Sequence, residues 1–113
     1  MLTIDVLKQF GANVDDGLTR CMGNQDFYFK LINKAVEDKS FSALEQAVAN
    51  KDLDAAFEAA HSLKGVLSNL ALDPICEPVC EITELLRSRS DVDYQPYLNK
   101  IREKRDELVD LIG

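Results

Sequence analysis

Residues 53–71 read LDAAFEAAHSLKGVLSNLA and carry the most regular helical pattern in the chain. Asp52, directly before this stretch, has a side chain suited to cap a helix N-terminus. Apolar residues recur along it every three or four positions, which is the spacing of one face of an α-helix. The pattern predicts an amphipathic helix whose inner face carries Leu53, Phe57, Ala60, Leu63, Leu67 and Leu70.

The rest of the chain also predicts helices, separated by short polar joints. Ser42 and Glu45 have the spacing of a capping box and predict a helix start at Ser42. Asp73-Pro74 has the pattern of an N-cap followed by a first-turn proline, but Pro78 could delay the regular helix to that residue. The other predicted segments are 2–10, a short piece starting at 15, 25–38, and a last helix capped by Asp91 or Asp93.

Helices joined by short connections, with no alternating strand pattern, determine the predicted fold class. Four segments exceed about three turns, which is typical of a bundle. We therefore expect an all-α, antiparallel up-and-down four-helix bundle, with the short N-terminal helices covering one end. A length of 113 residues suits a single domain spanning residues 1–113.

Composition and charge make some classes of function less favourable for this protein. The net charge of −7 disfavours binding to nucleic acid or to an anionic membrane surface. No secretion signal and no apolar run of about 20 residues is present, so we expect a cytoplasmic protein. Three cysteines without paired spacing fit a reducing compartment.

The single histidine, His61, is the strongest candidate for chemistry. At about 100° per residue it falls outside the apolar face of its helix, and Lys64, Gly65 and Ser68 share its side. A glycine inside a helix costs about 1 kcal/mol relative to alanine. Gly65 would therefore serve a purpose, either leaving the imidazole accessible to another protein or allowing close packing of a neighbouring helix.

These four residues suit a carrier of phosphoryl groups. An imidazole ordinarily ionises at about pH 6.5, so it is a competent nucleophile at neutral pH. The Lys64 ammonium could neutralise phosphoryl oxygens, and the Ser68 hydroxyl could add a hydrogen bond. We expect no cofactor and no metal on this chain, provided that a partner supplies Mg²⁺.

His61-Ser62-Leu63-Lys64-Gly65 resembles the H-x-L-K-G motif of the histidine-phosphotransfer (HPt) domain family. The upstream stretches 15–18 and 23–28 are also similar to that family, and the resemblance covers about residues 10–112. It implies a four-helix bundle in which His61 accepts phosphate through its outer ring nitrogen. It also implies that Lys64 stabilises the phosphohistidine and that Gly65 gives a docking receiver room, with a weaker role for Ser68.

The same resemblance implies the partners. The phosphoryl donors and acceptors would be receiver domains of response regulators, with a hybrid histidine kinase as a further donor. We expect a monomer that forms transient one-to-one complexes. One departure from the family is Ala71, where its members commonly have glycine. We expect a small change in the turn there and no loss of activity.

Three other interpretations are considered. The bundle could be an adaptor that binds a receiver or kinase without carrying phosphate. Glu58-x-x-His61 has the spacing of di-metal bundles, but these use a second histidine, which this chain lacks. Cys76 and Cys80 could touch a metal but are better explained as small core residues.

For partner docking, Phe57 and Leu72 are the candidate apolar contacts.

Overall fold

The computed structural model describes residues 2–113, which form seven α-helices and no strand. This confirms the predicted all-α class. The helices are α1 (Ile4–Phe10), α2 (Val14–Arg20), α3 (Gln25–Ala35), α4 (Ser40–Ala49), α5 (Leu53–Asn69), α6 (Asp73–Arg87) and α7 (Gln95–Ile112).

Helices α4 to α7 form the bundle. α5 packs against both α4 and α6, and α6 packs against α7. The connections 50–52, 70–72 and 88–94 are short, so each helix turns back along the previous one and the order is up-and-down. Arg102 of α7 closes the bundle on α4, where its Nη2 lies 2.7 Å from Oε1 of Glu45.

The three N-terminal helices cover the end of the bundle at which α5 stops. The amide of Asn13, just before α2, donates a 3.0 Å hydrogen bond to the carbonyl of Ala71. The Tyr28 hydroxyl of α3 donates a 2.8 Å hydrogen bond to the carbonyl of Leu70. Both bonds attach the N-terminal region to the end of the histidine-bearing helix. α3 belongs to this region and ends at Ala35, whereas the sequence predicted 25–38 as one of the long helices of the bundle.

Helix starts agree with the local signals in some places and differ in others. Asp52 caps α5 as predicted, because its side chain accepts a hydrogen bond from the Ala55 amide at 3.1 Å. The predicted capping box at Ser42 is wrong, since α4 begins at Ser40 without a side-chain cap. The predicted N-cap of the last helix at Asp91 or Asp93 is wrong, since Tyr94 occupies that position before α7, although Asp93 accepts a 2.9 Å hydrogen bond from the Gln95 amide.

The start of α6 also differs from the prediction. Asp73 is the first helical residue, and Leu72 occupies the N-cap position without a side-chain bond. The helix therefore begins at Asp73 and continues through Pro78, although a proline inside a helix removes one backbone hydrogen bond. Packing offsets that loss, because the inner face of α6 holds fully buried Ile75, Val79 and Ile82.

Four helices end on a left-handed residue that is not glycine. Met22, Lys51, Ala71 and Arg89 have φ angles of 57°, 58°, 53° and 53°. At each, the next amide bonds back to a carbonyl five residues earlier, as in a Schellman motif: Gly23 to Leu18 at 2.7 Å, Asp52 to Ala47 at 2.8 Å, Leu72 to Leu67 at 3.1 Å and Ser90 to Leu85 at 2.9 Å. The turn after α5 thus forms with Ala71 in the conformation that favours glycine, and α5 ends at Asn69.

Candidate functional site

His61 lies at the middle of α5 and its side chain is exposed. The opposite face of α5 is in the core, where Ala56, Ala60 and Leu63 have no exposed surface. The predicted orientation of His61, away from the apolar face, is confirmed. The imidazole is therefore open to a group carried by another protein.

Gly65, one turn after His61, is exposed and has free space beside it. Outside its own helix backbone and chain neighbours, a Cβ built at Gly65 would meet no atom of the described chain within 4 Å. No neighbouring helix needs a glycine there, so the packing explanation for Gly65 is wrong. What the missing side chain leaves is an open surface beside the imidazole.

Lys64 lies on the α6 side of His61 and is half-buried. Among residues 2–113 no carboxylate lies within ion-pair distance of its ammonium. Its field reaches Cys80 of α6: burial and the contact with Cys76 raise the pKa of Cys80 to about 11, and Lys64 partly offsets that rise. Lys64 therefore provides an uncompensated positive charge next to the histidine.

An aromatic ring and a second cation lie on the other side along α5. The Phe57 ring stacks on the His61 ring, with 5.7 Å between centroids and 18° between planes. The guanidinium carbon of Arg87, at the end of α6, lies 5.1 Å from the Phe57 centroid. Arg87 also bonds Glu84, with 3.1 Å from Nε to Oε2.

Ser68 is exposed at its position on α5, but its hydroxyl is engaged. Ser68 Oγ lies 3.3 Å from the Cys76 sulfur of α6, which in turn lies 3.6 Å from the Cys80 sulfur. The structure thus brings His61, Lys64 and Gly65 to one open surface and pairs the Ser68 hydroxyl with α6.

Residues 37–111 match the family model of the Hpt domain. The chain belongs to the Hpt domain family. The matched segment holds most of the four-helix bundle and the whole stretch around His61. No curated protein and no solved structure matches the chain significantly.

Membership of the Hpt family indicates the general class of function. Hpt domains act in phosphotransfer within two-component systems, where they interact with receiver domains and with kinases. The predicted family is therefore confirmed, and with it the coarse function class. In the described part of the chain no helix has both the length and the apolar character that crossing a membrane requires.

The two metal interpretations lack support from the geometry. Within residues 2–113 no three side chains of histidine, cysteine, aspartate or glutamate are grouped so that they could hold a metal ion. Glu58 is exposed, and the Cys76–Cys80 pair has no third donor of these types. The expected burial of the two cysteines is confirmed, with Cys76 buried and Cys80 half-buried.

The sequence did not predict every residue that lies near His61. Leu72, a predicted docking residue, has no exposed surface, so that prediction is wrong. Phe57 is half-buried and its ring contacts the His61 ring. The sequence had suggested Phe57 as a core residue or as a docking residue, and neither interpretation included this contact. Arg87 was not identified, because it is remote in the chain and nothing in its local pattern indicates that α6 brings it to Phe57.

Proposed function

We propose that this protein is a phosphorelay carrier that holds a phosphoryl group on the outer ring nitrogen of His61. It accepts the group from a receiver-domain aspartyl phosphate, or from a kinase, and donates it to another receiver. The observation that carries the proposal is the exposed imidazole at mid-helix, with the open surface of Gly65 on one side and the unpaired Lys64 charge on the other.

The transfer step balances without any other group on this chain. The lone pair of His61 Nε2 attacks the phosphorus, the bond between phosphorus and the aspartyl oxygen breaks, and the receiver recovers its carboxylate. The reverse sequence loads the next receiver. Lys64 neutralises part of the phosphoryl charge, and Mg²⁺ on the partner receiver neutralises the rest.

A groove beside α5 supports receiver docking. Leu31 of α3 and Val66 of α5 line a concave region of about 300 Å³, and Val66 directly follows Gly65. Phe27, one turn before Leu31, is 42% exposed. An apolar strip next to a polar catalytic surface is the usual composition of a transient interface.

The proposal includes the setting of the reaction. We place the protein in the cytoplasm as a monomer that forms one-to-one complexes with response-regulator receivers, and with a hybrid histidine kinase as a further donor. The acidic net charge of −7 favours protein partners over nucleic acid. Light scattering of the protein, alone and mixed with a receiver, tests the assembly: a mass of one chain, then of one chain plus one receiver, is expected.

The decisive experiment is phosphotransfer profiling against the receivers of the source organism, with His61→Gln as the matched variant. The wild-type protein should acquire an acid-labile, alkali-stable label from a phosphorylated receiver, and His61→Gln should acquire none. A receiver that binds the protein without transferring label would favour the adaptor function, and equal labelling of His61→Gln would place the phosphate on another residue. Either result overturns the proposal.

A further inference from the structure

Phe57 connects the histidine to a cation on the neighbouring helix. Its ring is in stacked contact with His61 on α5 and in cation–π contact with Arg87 at the end of α6. We propose that Phe57 and Arg87 are positioning residues, which hold the His61 ring in the orientation that receives the phosphoryl group. This inference rests on the proposed function and adds two residues to its site.

The stacking geometry can orient the ring without covering the reacting atom. Aromatic pairs are favourable at centroid distances of about 4.5–7 Å, and the Phe57–His61 pair lies within this range at 5.7 Å. Stacking uses the flat face of the imidazole, whereas both ring nitrogens lie on its edge. Phe57 can therefore restrict rotation of His61 and leave the outer nitrogen open.

Restricting an exposed side chain before the reaction has a kinetic benefit. A surface histidine on a helix otherwise samples several rotamers, and only some of them direct the outer nitrogen at an incoming phosphorus. Fixing the productive rotamer in advance removes an entropic part of the barrier. The benefit should appear in the rate of transfer within the complex, not in the affinity for the receiver.

Arg87 in turn holds Phe57. Its guanidinium carbon lies 5.1 Å from the ring centroid, and Glu84 anchors its Nε at 3.1 Å. Phe57 is thus held between its own helix and the end of α6, which restricts movement of the ring away from His61. Arg87 acts through Phe57, so its removal should have a smaller effect than loss of the ring.

The chain offers matched variants for both residues. Phe57→Leu keeps an apolar side chain but removes the ring, whereas Phe57→Tyr keeps the ring. Arg87→Gln removes the cation near Phe57. Arg89→Gln is its control, because Arg89 is a nearby exposed arginine that pairs with Asp54, whereas the cation–π contact with Phe57 is made by Arg87.

Two measurements test the inference. Proton NMR of the unphosphorylated protein reports the stacking directly, since ring protons of the single histidine should be shifted upfield by Phe57. Rapid-quench kinetics at saturating phosphorylated receiver separate the transfer rate from receiver affinity. Phe57→Leu should lose the upfield shift and transfer about three- to tenfold more slowly, the range expected for one aromatic contact.

The remaining variants complete the pattern. Phe57→Tyr should keep both the shift and the rate, Arg87→Gln should lose part of each, and Arg89→Gln should match the wild type. The inference is overturned if Phe57→Leu transfers at the wild-type saturating rate, if only its receiver affinity changes, or if the His61 protons are unshifted in the wild type. If the wild-type protein never acquires phosphoryl label, the proposed function is contradicted instead. The NMR measurement then still decides whether Phe57 stacks on His61.

Discussion

The Tyr28 hydroxyl of α3 donates its hydrogen bond to the carbonyl of Leu70, the residue that follows the last turn of α5. Tyr28 has no exposed surface, and burial raises its pKa to about 12, so the hydroxyl keeps its proton and remains a donor at physiological pH. This bond ties the N-terminal helices to the helix that carries His61. Gly17 of α2 lies against the same ring.

Gly17→Ala should destabilise the fold. A Cβ at Gly17 would lie 2.5 Å from the Tyr28 hydroxyl oxygen and 2.6 Å from the adjacent ring carbon, so the buried ring would have to move. Overpacking of this kind costs about 1–3 kcal/mol, and moving the ring also disturbs the hydrogen bond from Tyr28 to Leu70. Together these costs outweigh the gain of about 1 kcal/mol in helix propensity. Urea unfolding followed by circular dichroism should show a lower free energy of unfolding. An unchanged or higher value would mean that the Tyr28 ring is not fixed.

Gly65→Ala should have the opposite effect on stability. The added methyl group meets open space, so the helix gains about 1 kcal/mol without a clash. The same methyl group covers part of the surface beside His61, so phosphotransfer to and from receivers should slow. The two effects are measured by urea unfolding and by labelling kinetics. A stability gain with an unchanged transfer rate would remove the access role from Gly65.

Lys64→Ala should shorten the life of the phosphorylated protein or slow its formation. The ammonium is unpaired among the described residues and lies beside the histidine, so its loss leaves the phosphoryl charge less neutralised. We expect a change of about threefold or more, becoming smaller as salt is added. Lys64→Arg should keep most of the activity, and Lys100→Ala, an exposed lysine on α7, is the control. If Lys64→Ala matches Lys100→Ala in both rate and lifetime, Lys64 has no part in the reaction.

Cys80 should make stability depend on alkaline pH. Burial raises the pKa of its thiol from an ordinary value of 9.0 to about 11, so the folded protein keeps a proton that the unfolded chain loses. This contribution to stability is complete below about pH 9 and disappears as the pH rises towards 11. Between these values the free energy of unfolding should fall more steeply for the wild type than for Cys80→Ala. Parallel pH profiles for the two proteins would show that the thiol is not buried in solution.

Phe27→Ala should weaken receiver binding without unfolding the bundle. Phe27 is 42% exposed on α3, one turn before Leu31, which lines the groove between α3 and α5. Its truncation removes apolar area from the proposed interface. Val109→Ala is a control of equal exposure, at 41%, on α7. Titration of each variant with a receiver should show a several-fold loss of affinity for Phe27→Ala only. Equal affinities would place the receiver on another surface.

Much of the fold and part of the site could be predicted from local pattern. Periodicity and the Asp52 cap are properties of neighbouring residues, so they were sufficient to predict α5 and the outward direction of His61. Helix ends were harder to predict, because Lys51, Ala71 and Arg89 occupy left-handed positions that glycine usually marks. The alternative explanations of Gly65 could be separated only by the empty space around it.

The sequence alone determined an all-helical chain and one helix with a histidine, a lysine and a glycine outside its apolar face, because helix formation and sidedness follow from residues three or four positions apart. Tertiary structure decided the rest. The buried face of α6 kept that helix continuous through Pro78, and the packing of α5 on α6 brought Arg87 to Phe57 and occupied the Ser68 hydroxyl with Cys76. Contacts between residues far apart in the chain depend on how whole helices pack against each other, and local periodicity does not determine that packing.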